Sequence, residues 1–202
     1  MKIIISFVLL FFVYFGNAQT NDELIKEIET YYAEENEIFS NPETSILKGS
    51  DLENFEGLEY YPIDLSYRVV AKFVRTPDEK PFKMKTSTSR TPEYVKYGEA
   101  HFTIDGKELK LALFKSVVPS KDPKYKDYLF LPFTDFTSGD GSYGGGRYLD
   151  CWIPEGDTIL LDFNKTYNPY CAYTIGYSCP IPPRENDLAM RFEVGIKDPN
   201  MH

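Results

Sequence analysis

From Leu24 onward the apolar positions fall at helical spacing: Leu24, Ile25, Ile28, Tyr31 and Tyr32. They follow Thr20-Asn21-Asp22-Glu23, a threonine with an acid three positions later, which is the capping-box arrangement. The spacing predicts one amphipathic helix over residues 21–38. It should end near Ser40, because Pro42 disfavours helical backbone in the residue before it.

A period of two then takes over. Tyr67, Val69, Ala71 and Phe73 alternate with Arg68, Val70, Lys72 and Val74, and Phe82, Met84 and Thr86 alternate with Lys83 and Lys85. Tyr94–Ile104 reads as a strand that meets Asp105-Gly106, a pair that tolerates the positive φ angles of a tight hairpin turn. Leu109, Leu111 and Leu113 mark the apolar side of the return strand. Tyr128–Phe136 is a further apolar run, with Pro132 expected at an edge or bulge. Tyr148–Ile153 and Thr158–Phe163 flank Pro154-Glu155-Gly156-Asp157 and read as a second hairpin, and Met190–Ile196 as a last strand. Thr86–Arg90 is polar and reads as a loop. Many short strands, one early helix and abundant turn residues predict a mainly β chain: a single-domain antiparallel sandwich or partly open barrel with one N-terminal α-helix. No βαβ alternation, internal repeat or interdomain linker interrupts it.

Residues 1–18 change the picture. Lys2 is followed by an apolar run from Ile3 to Phe15, broken only by Ser6, and then by Gly16-Asn17-Ala18. This is the pattern of a secretory signal peptide cut after Ala18, which leaves residues 19–202 as the domain. The run is short for a membrane span, which needs about 20 residues. Loss of the segment removes one basic residue and takes the net charge from −9 to −10. So acidic a chain is poorly suited to nucleic acid or anionic lipid. No stretch of the mature chain is apolar enough to span a bilayer. The expected product is exported, periplasmic or secreted. The sequence implies no cofactor and leaves the oligomeric state open.

Two loops carry candidate chemistry. The first is TDFTSGDGSYGGGRYLD, residues 134–150. Gly139, Gly141 and Gly144 fit G-x-G-x-x-G, but the segment leads into a strand rather than a helix, which excludes the dinucleotide reading. Arg147 carries a planar fork of donors suited to carboxylate or phosphate, and Asp135 or Asp150 is its structural alternative. The second is LDFNKTYNPYCAYTIGYSCPIPPREN, residues 161–186. Asn164, Asn168 and Asn186 offer donor and acceptor together. Tyr167, Tyr170 and Tyr173 offer apolar faces with hydroxyl tips. Four prolines stiffen the run.

The cysteines number three. Export favours oxidation, and a Cys171–Cys179 bridge would close a small loop, contributing up to roughly 3 kcal/mol in the chain-entropy model. Zinc is the rival for the pair, but structural zinc sites place cysteines closer and add further Cys or His, and the chain has only His101 and His202. No metal site is expected, and a calcium site at Asp135 and Asp140 lacks the EF-hand spacing. Cys151, beside Trp152, reads as a buried free thiol.

TSGDGSYGGGRYLD, LDFNKTYNPYCAY and CPIPPREN, in this order and with these gaps, resemble the motifs of the domain of unknown function 1684 family. GLEYYPIDLSYRV, residues 57–69, resembles the family's N-terminal part. The resemblance implies a compact β-rich domain and no assigned reaction. Its motif positions in the first loop are Asp135, Ser138, Tyr143, Arg147, Tyr148 and Asp150. In the second they are Asp162, Asn164, Tyr167, Asn168, Cys171, Tyr173, Cys179, Glu185 and Asn186. The chain departs from the pattern at Lys165-Thr166 and in having Glu193-Val194-Gly195-Ile196-Lys197 near its end.

Three readings follow. The first is a hollow where the two loops meet, in which Arg147 anchors a small polar or anionic ligand, the asparagines orient it and the tyrosines stack on it. The second is a hydrolase using Asp150 with Glu185, or Asp135, as an acid/base pair in the same place. The third is a non-catalytic envelope or secreted interaction domain whose motifs build the fold.

Overall fold

The structure is a computed structural model that describes residues 19–201. The expected signal peptide lies outside them. Helix α1, Asn21–Ser40, starts where the capping box places it. The Thr20 hydroxyl accepts the Glu23 N–H at 3.3 Å, and the Glu23 carboxylate accepts the Thr20 N–H at 2.8 Å. The helix stops at Asn41, whose extended backbone suits the residue before a proline. A single turn, α2, follows at Ser50–Glu53.

The strands are β1 Arg68–Arg75, β2 Phe82–Lys83, β3 Glu93–Ile104, β4 Lys107–Ser116, β5 Tyr128–Phe133, β6 Arg147–Trp152 and β7 Thr158–Asp162. They form one antiparallel sheet in the order β6-β5-β4-β3-β1-β7, with β2 paired to the start of β3. The sheet curls into an open half-barrel. Asp105 and Gly106 both have positive φ (50° and 73°) and make the tight β3–β4 turn.

The second expected hairpin does not form. β6 and β7, consecutive in the chain, are the two opposite edges of the sheet. Pro154 ends the outgoing strand, and β1 captures the returning one: the Phe73 N–H donates to the Asp157 carbonyl at 2.7 Å, and Arg68–Lys72 pair with Asp162–Thr158.

The main core fills the concave face. Ala71, Phe73, Phe102, Leu111, Leu113, Leu131 and Leu149 project into it at alternate strand positions. Leu188, Met190, Phe192 and Val194 enter it from the C-terminal segment. That segment keeps the period of two yet is not a strand, which corrects the expectation for Met190–Ile196. It meets neighbouring backbone at separate points rather than along a ladder: the Phe136 N–H donates to the Met190 carbonyl at 3.0 Å, and Ile196 makes an isolated bridge to Tyr60. A smaller cluster, Met84, Ala112, Phe114, Phe130 and Tyr148, covers part of the convex face. A third joins the end of α1 to the later loop through Phe39, Leu47, Ala172 and Tyr173. Among the described residues no helix is long and apolar enough to cross a membrane.

Candidate functional site

Much of the first loop is consumed by the fold. Apart from an isolated bridge between Ile196 and Tyr60 and the Phe136 N–H that donates to the Met190 carbonyl, the C-terminal segment crosses the core without ladder partners, and its remaining carbonyls need donors. Arg147, at the start of β6 and wholly buried, supplies them. Its Nη1 donates to the Val194 and Ile196 carbonyls at 2.6 and 3.2 Å, and its Nη2 to that of Phe192 at 2.9 Å. Nη2 also meets Asp135 Oδ2 at 2.8 Å. The other Asp135 oxygen accepts the Thr137 and Phe192 N–H groups at 2.7 and 3.2 Å. Ser138 accepts the Asp135 N–H at 3.1 Å. Gly146 precedes the arginine with φ 89°, and a Cβ there would lie 2.6 Å from the Phe133 carbonyl. The glycine thus permits close backbone approach to β5.

Several residues of the second loop are structural in the same sense. The Asn186 side chain is wedged between β4 and β5. It accepts the Ala112 N–H at 2.8 Å and donates to the Ala112 and Pro132 carbonyls at 2.9 and 2.7 Å. Asn164, wholly buried, accepts the Asp64 N–H at 2.9 Å and donates to the Asp64 carbonyl at 3.0 Å and to Asp162 Oδ1 at 2.9 Å. Asp162 also lies 3.3 Å from Arg68. The Tyr148 hydroxyl donates to the Pro180 carbonyl. Glu185 takes the Lys96 ammonium at 2.7 Å.

Cys171 and Cys179 are neighbours but not bonded. The Cys171 N–H donates to Cys179 Sγ at 3.3 Å, the Tyr143 hydroxyl lies 3.9 Å from Cys171 Sγ, and all three cysteines are free thiols. The expected disulfide is therefore absent from this structure. Burial and the adjoining Cys171 push the Cys179 thiol up to about 12, and burial and Cys171 push Tyr143 to about 12. No cluster of three His, Cys, Asp or Glu suited to a metal occurs among the described residues.

What remains converges on Asp150. Its position on β6 points away from the main core, and its Oδ1 accepts hydrogen bonds from Tyr128 at 2.7 Å and Tyr167 at 2.5 Å. Tyr167 is placed by a backbone bridge to Tyr148, with N···O distances of 2.9 and 3.0 Å. Asp150 and Tyr167 line three adjoining hollows. One, about 560 Å³, lies in the seam between β6 and β7 beside α1, where Asp162 joins the lining. Another, about 860 Å³, runs under the 115–126 segment with Lys115, Lys121 and Lys126. The third, about 280 Å³, is enclosed by α1, β6 and the second loop. Asn168, Tyr170 and Tyr173 line it together with Tyr125. So Asp150, Tyr167, Asn168 and Tyr173 do come together, whereas Arg147, Asp135, Glu185 and Asn186 lie elsewhere.

Sequence reading missed the wall that α1 supplies. Tyr31, Glu35 and Phe39 follow at i, i+4 and i+8 on α1 and all face the small hollow. Glu35 interrupts the aromatic stripe of an amphipathic helix, and that interruption was the available signal. It makes no hydrogen bond or ion pair among the described residues. Burial, then Asp150, then Glu34 hold its carboxyl above the ordinary range. Asn168, 2% exposed, donates to Tyr173 at 3.3 Å and to the Lys197 carbonyl at 2.8 Å. Its Oδ1 is buried with no donor. No Lys, Arg or His lines this hollow.

The profile of the protein of unknown function family DUF1684 matches residues 53–197. The chain belongs to this family. Among solved structures, the DUF1684 chain is similar to the solution NMR structure of an uncharacterized protein from gene locus rrnAC0354 of Haloarcula marismortui. The two are 31% identical with a TM-score of 0.68, covering 90% of this chain and 97% of that one. No curated protein matches. Within the matched span lie Asp150, Tyr167, Asn168 and Tyr173, while Tyr31 and Glu35 precede it.

Proposed function

We propose that the small hollow at Asp150 binds a small polar ligand. The observation that carries this reading is the Asn168 Oδ1: a buried acceptor without a donor, in a residue that lines a hollow whose other polar groups are two carboxyls and several phenols. Such an acceptor is costly unless something donates to it. A small-molecule screen followed by NMR shift mapping tests the reading. Bound ligands should perturb Glu35, Asp150 and Asn168, and Asn168→Ala and Asp150→Asn should each weaken them about tenfold or more. Affinities unchanged in both variants would end it. Arg147 has no part in this site: it does not line the hollow, and its Nη donors serve backbone and Asp135.

A hydrolase is the second reading, and the raised pKa of Glu35 favours it. Glu35, in place of Glu185, would be the acid, its carboxyl held above the ordinary range by burial and by Asp150, and Asp150 would be the second carboxyl of the pair. Turnover of 4-nitrophenyl glycosides or esters that is lost in Glu35→Gln would support it. Absence of turnover across both sets would remove it.

Export is supported by the n-region, apolar run and small residues of the first 18 positions. N-terminal sequencing of the native protein tests it, with Gln19 expected as the first residue.

A further inference from the structure

The small hollow holds two carboxyls and no basic side chain. Asp150 is fixed by two phenol donors, and Glu35 stands opposite with no partner. Around them stand aromatic faces from three separate segments: Tyr31 on α1, Tyr125 before β5, and Tyr170 and Tyr173 on the second loop. A neutral polyhydroxy ligand would satisfy Asn168 but leave the two acids repelling each other. An anion would add to the repulsion. An organic cation answers both features, since it neutralises the carboxylates and is attracted to ring faces.

We propose that this hollow binds the ammonium head of a small organic cation, primary or quaternary, held between Glu35 and Asp150 and against the rings of Tyr31 and Tyr170. The proposal rests on the binding reading above and names its ligand class. An attached hydroxyl on such a cation would donate to Asn168 Oδ1. The adjoining lysine-bearing hollow, with Lys115, Lys121 and Lys126, would receive any acidic group the same ligand carried farther out.

Binding is linked to the proton on Glu35. The groups facing that carboxyl are Asp150 from β6, Glu34 on its own helix, and the tyrosines Tyr31, Tyr60, Tyr170 and Tyr173. None of them is cationic. The burial and like charges that raise its pKa are what a bound cation offsets, so cation binding should release a proton and weaken as the pH falls.

The test is titration calorimetry of the full mature chain with choline chloride, ethanolamine, glucose and calcium chloride at pH 8 and pH 5, with NMR shifts locating each site. Choline or ethanolamine should bind at Glu35 and Asp150 and lose about tenfold or more at pH 5 or in Glu35→Gln. Tyr170→Leu, at a ring 45% exposed, should weaken choline without unfolding the protein. Glu185→Gln should leave it unchanged. Glucose or calcium binding in the hollow, with neither ammonium compound doing so, overturns the ligand class and leaves the binding reading standing. No probe shifting these residues, together with a failed wider screen, overturns both.

Discussion

Arg147 and Asp135 form an ion pair of 2.8 Å in which neither side chain is exposed to solvent. The pair replaces a strand: between them the two side chains accept from or donate to the backbone of Phe192, Val194 and Ile196. Removing one partner leaves a buried charge and several orphaned carbonyls. Arg147→Leu should cost about 3–5 kcal/mol in urea unfolding. Arg147→Lys should recover little, because a single ammonium cannot span the three carbonyls as the planar fork does.

Asn186 does similar work between β4 and β5. Pro132 has no N–H to give the ladder, and the asparagine amide closes the gap by bonding to Ala112 and Pro132. Asn186→Leu keeps the branched outline and the heavy-atom count, adds the bulk of two methyl groups and loses all three hydrogen bonds. It should cost about 2–4 kcal/mol, read by the midpoint of chemical denaturation, while leaving ligand affinity at the Asp150 hollow unchanged. A variant as stable as the parent would show the wedge to be dispensable.

These two residues also mark what the sequence can and cannot convey. The helix start, the β1, β3 and β4 strands and the Asp105-Gly106 turn are local patterns, written in spacing and backbone preference, and they are where the chain places them. Arg147 and Asn186 show the limit. A fork of donors beside glycines looks the same whether its acceptor is a ligand or a carbonyl 45 or more residues away, and only tertiary structure distinguishes them. The 190–196 segment has a strand's periodicity because alternate residues enter the core, and periodicity carries no information on backbone partners. Glu35 was hidden differently: a helix reading attends to apolar positions, and the acid among them is informative only once Asp150 is known to face it.

Gly195 lies where the C-terminal segment passes beneath the end of β7. Its φ is 73°, and an added Cβ would collide with the Thr166 side chain and sit 2.5 Å from the Phe163 carbonyl. Neither obstacle can move cheaply, because Phe163 is wholly buried and the Thr166 hydroxyl already donates to that carbonyl at 3.0 Å. Gly195→Ala should therefore cost about 3 kcal/mol. A thermal scan would reveal it, and a change under about 0.5 kcal/mol would contradict the close approach.

The three thiols should differ in reactivity. Cys151 and Cys179 are buried, and their thiolates are disfavoured by burial, Cys179 being pushed up to about 12. Cys171 is half-buried and accessible. With iodoacetamide at pH 8, Cys171 should be alkylated about tenfold or more faster than the other two, as followed by mass spectrometry of peptides. Equal rates would mean that the 170–179 loop opens readily.

Glu35 gives stability a pH dependence of definite sign. Its folded carboxyl titrates above its ordinary value, so the folded state binds this proton more tightly than the unfolded chain. Its favourable contribution is complete below about pH 4.5 and disappears as the pH rises through the raised value, leaving an uncompensated charge near Asp150 at neutral pH. Glu35→Gln mimics the protonated form at every pH. The variant should match the parent in Tm near pH 4 and exceed it by about 2 °C at pH 7.5, a modest margin because solvent screens a partly exposed group. Saturating choline should reverse the order at pH 7.5, since only the ionised glutamate gains from a bound cation. A parent more stable than Glu35→Gln at pH 7.5 without ligand would mean that Glu35 already has a cationic partner, and the electrostatic argument for the hollow would fail with it.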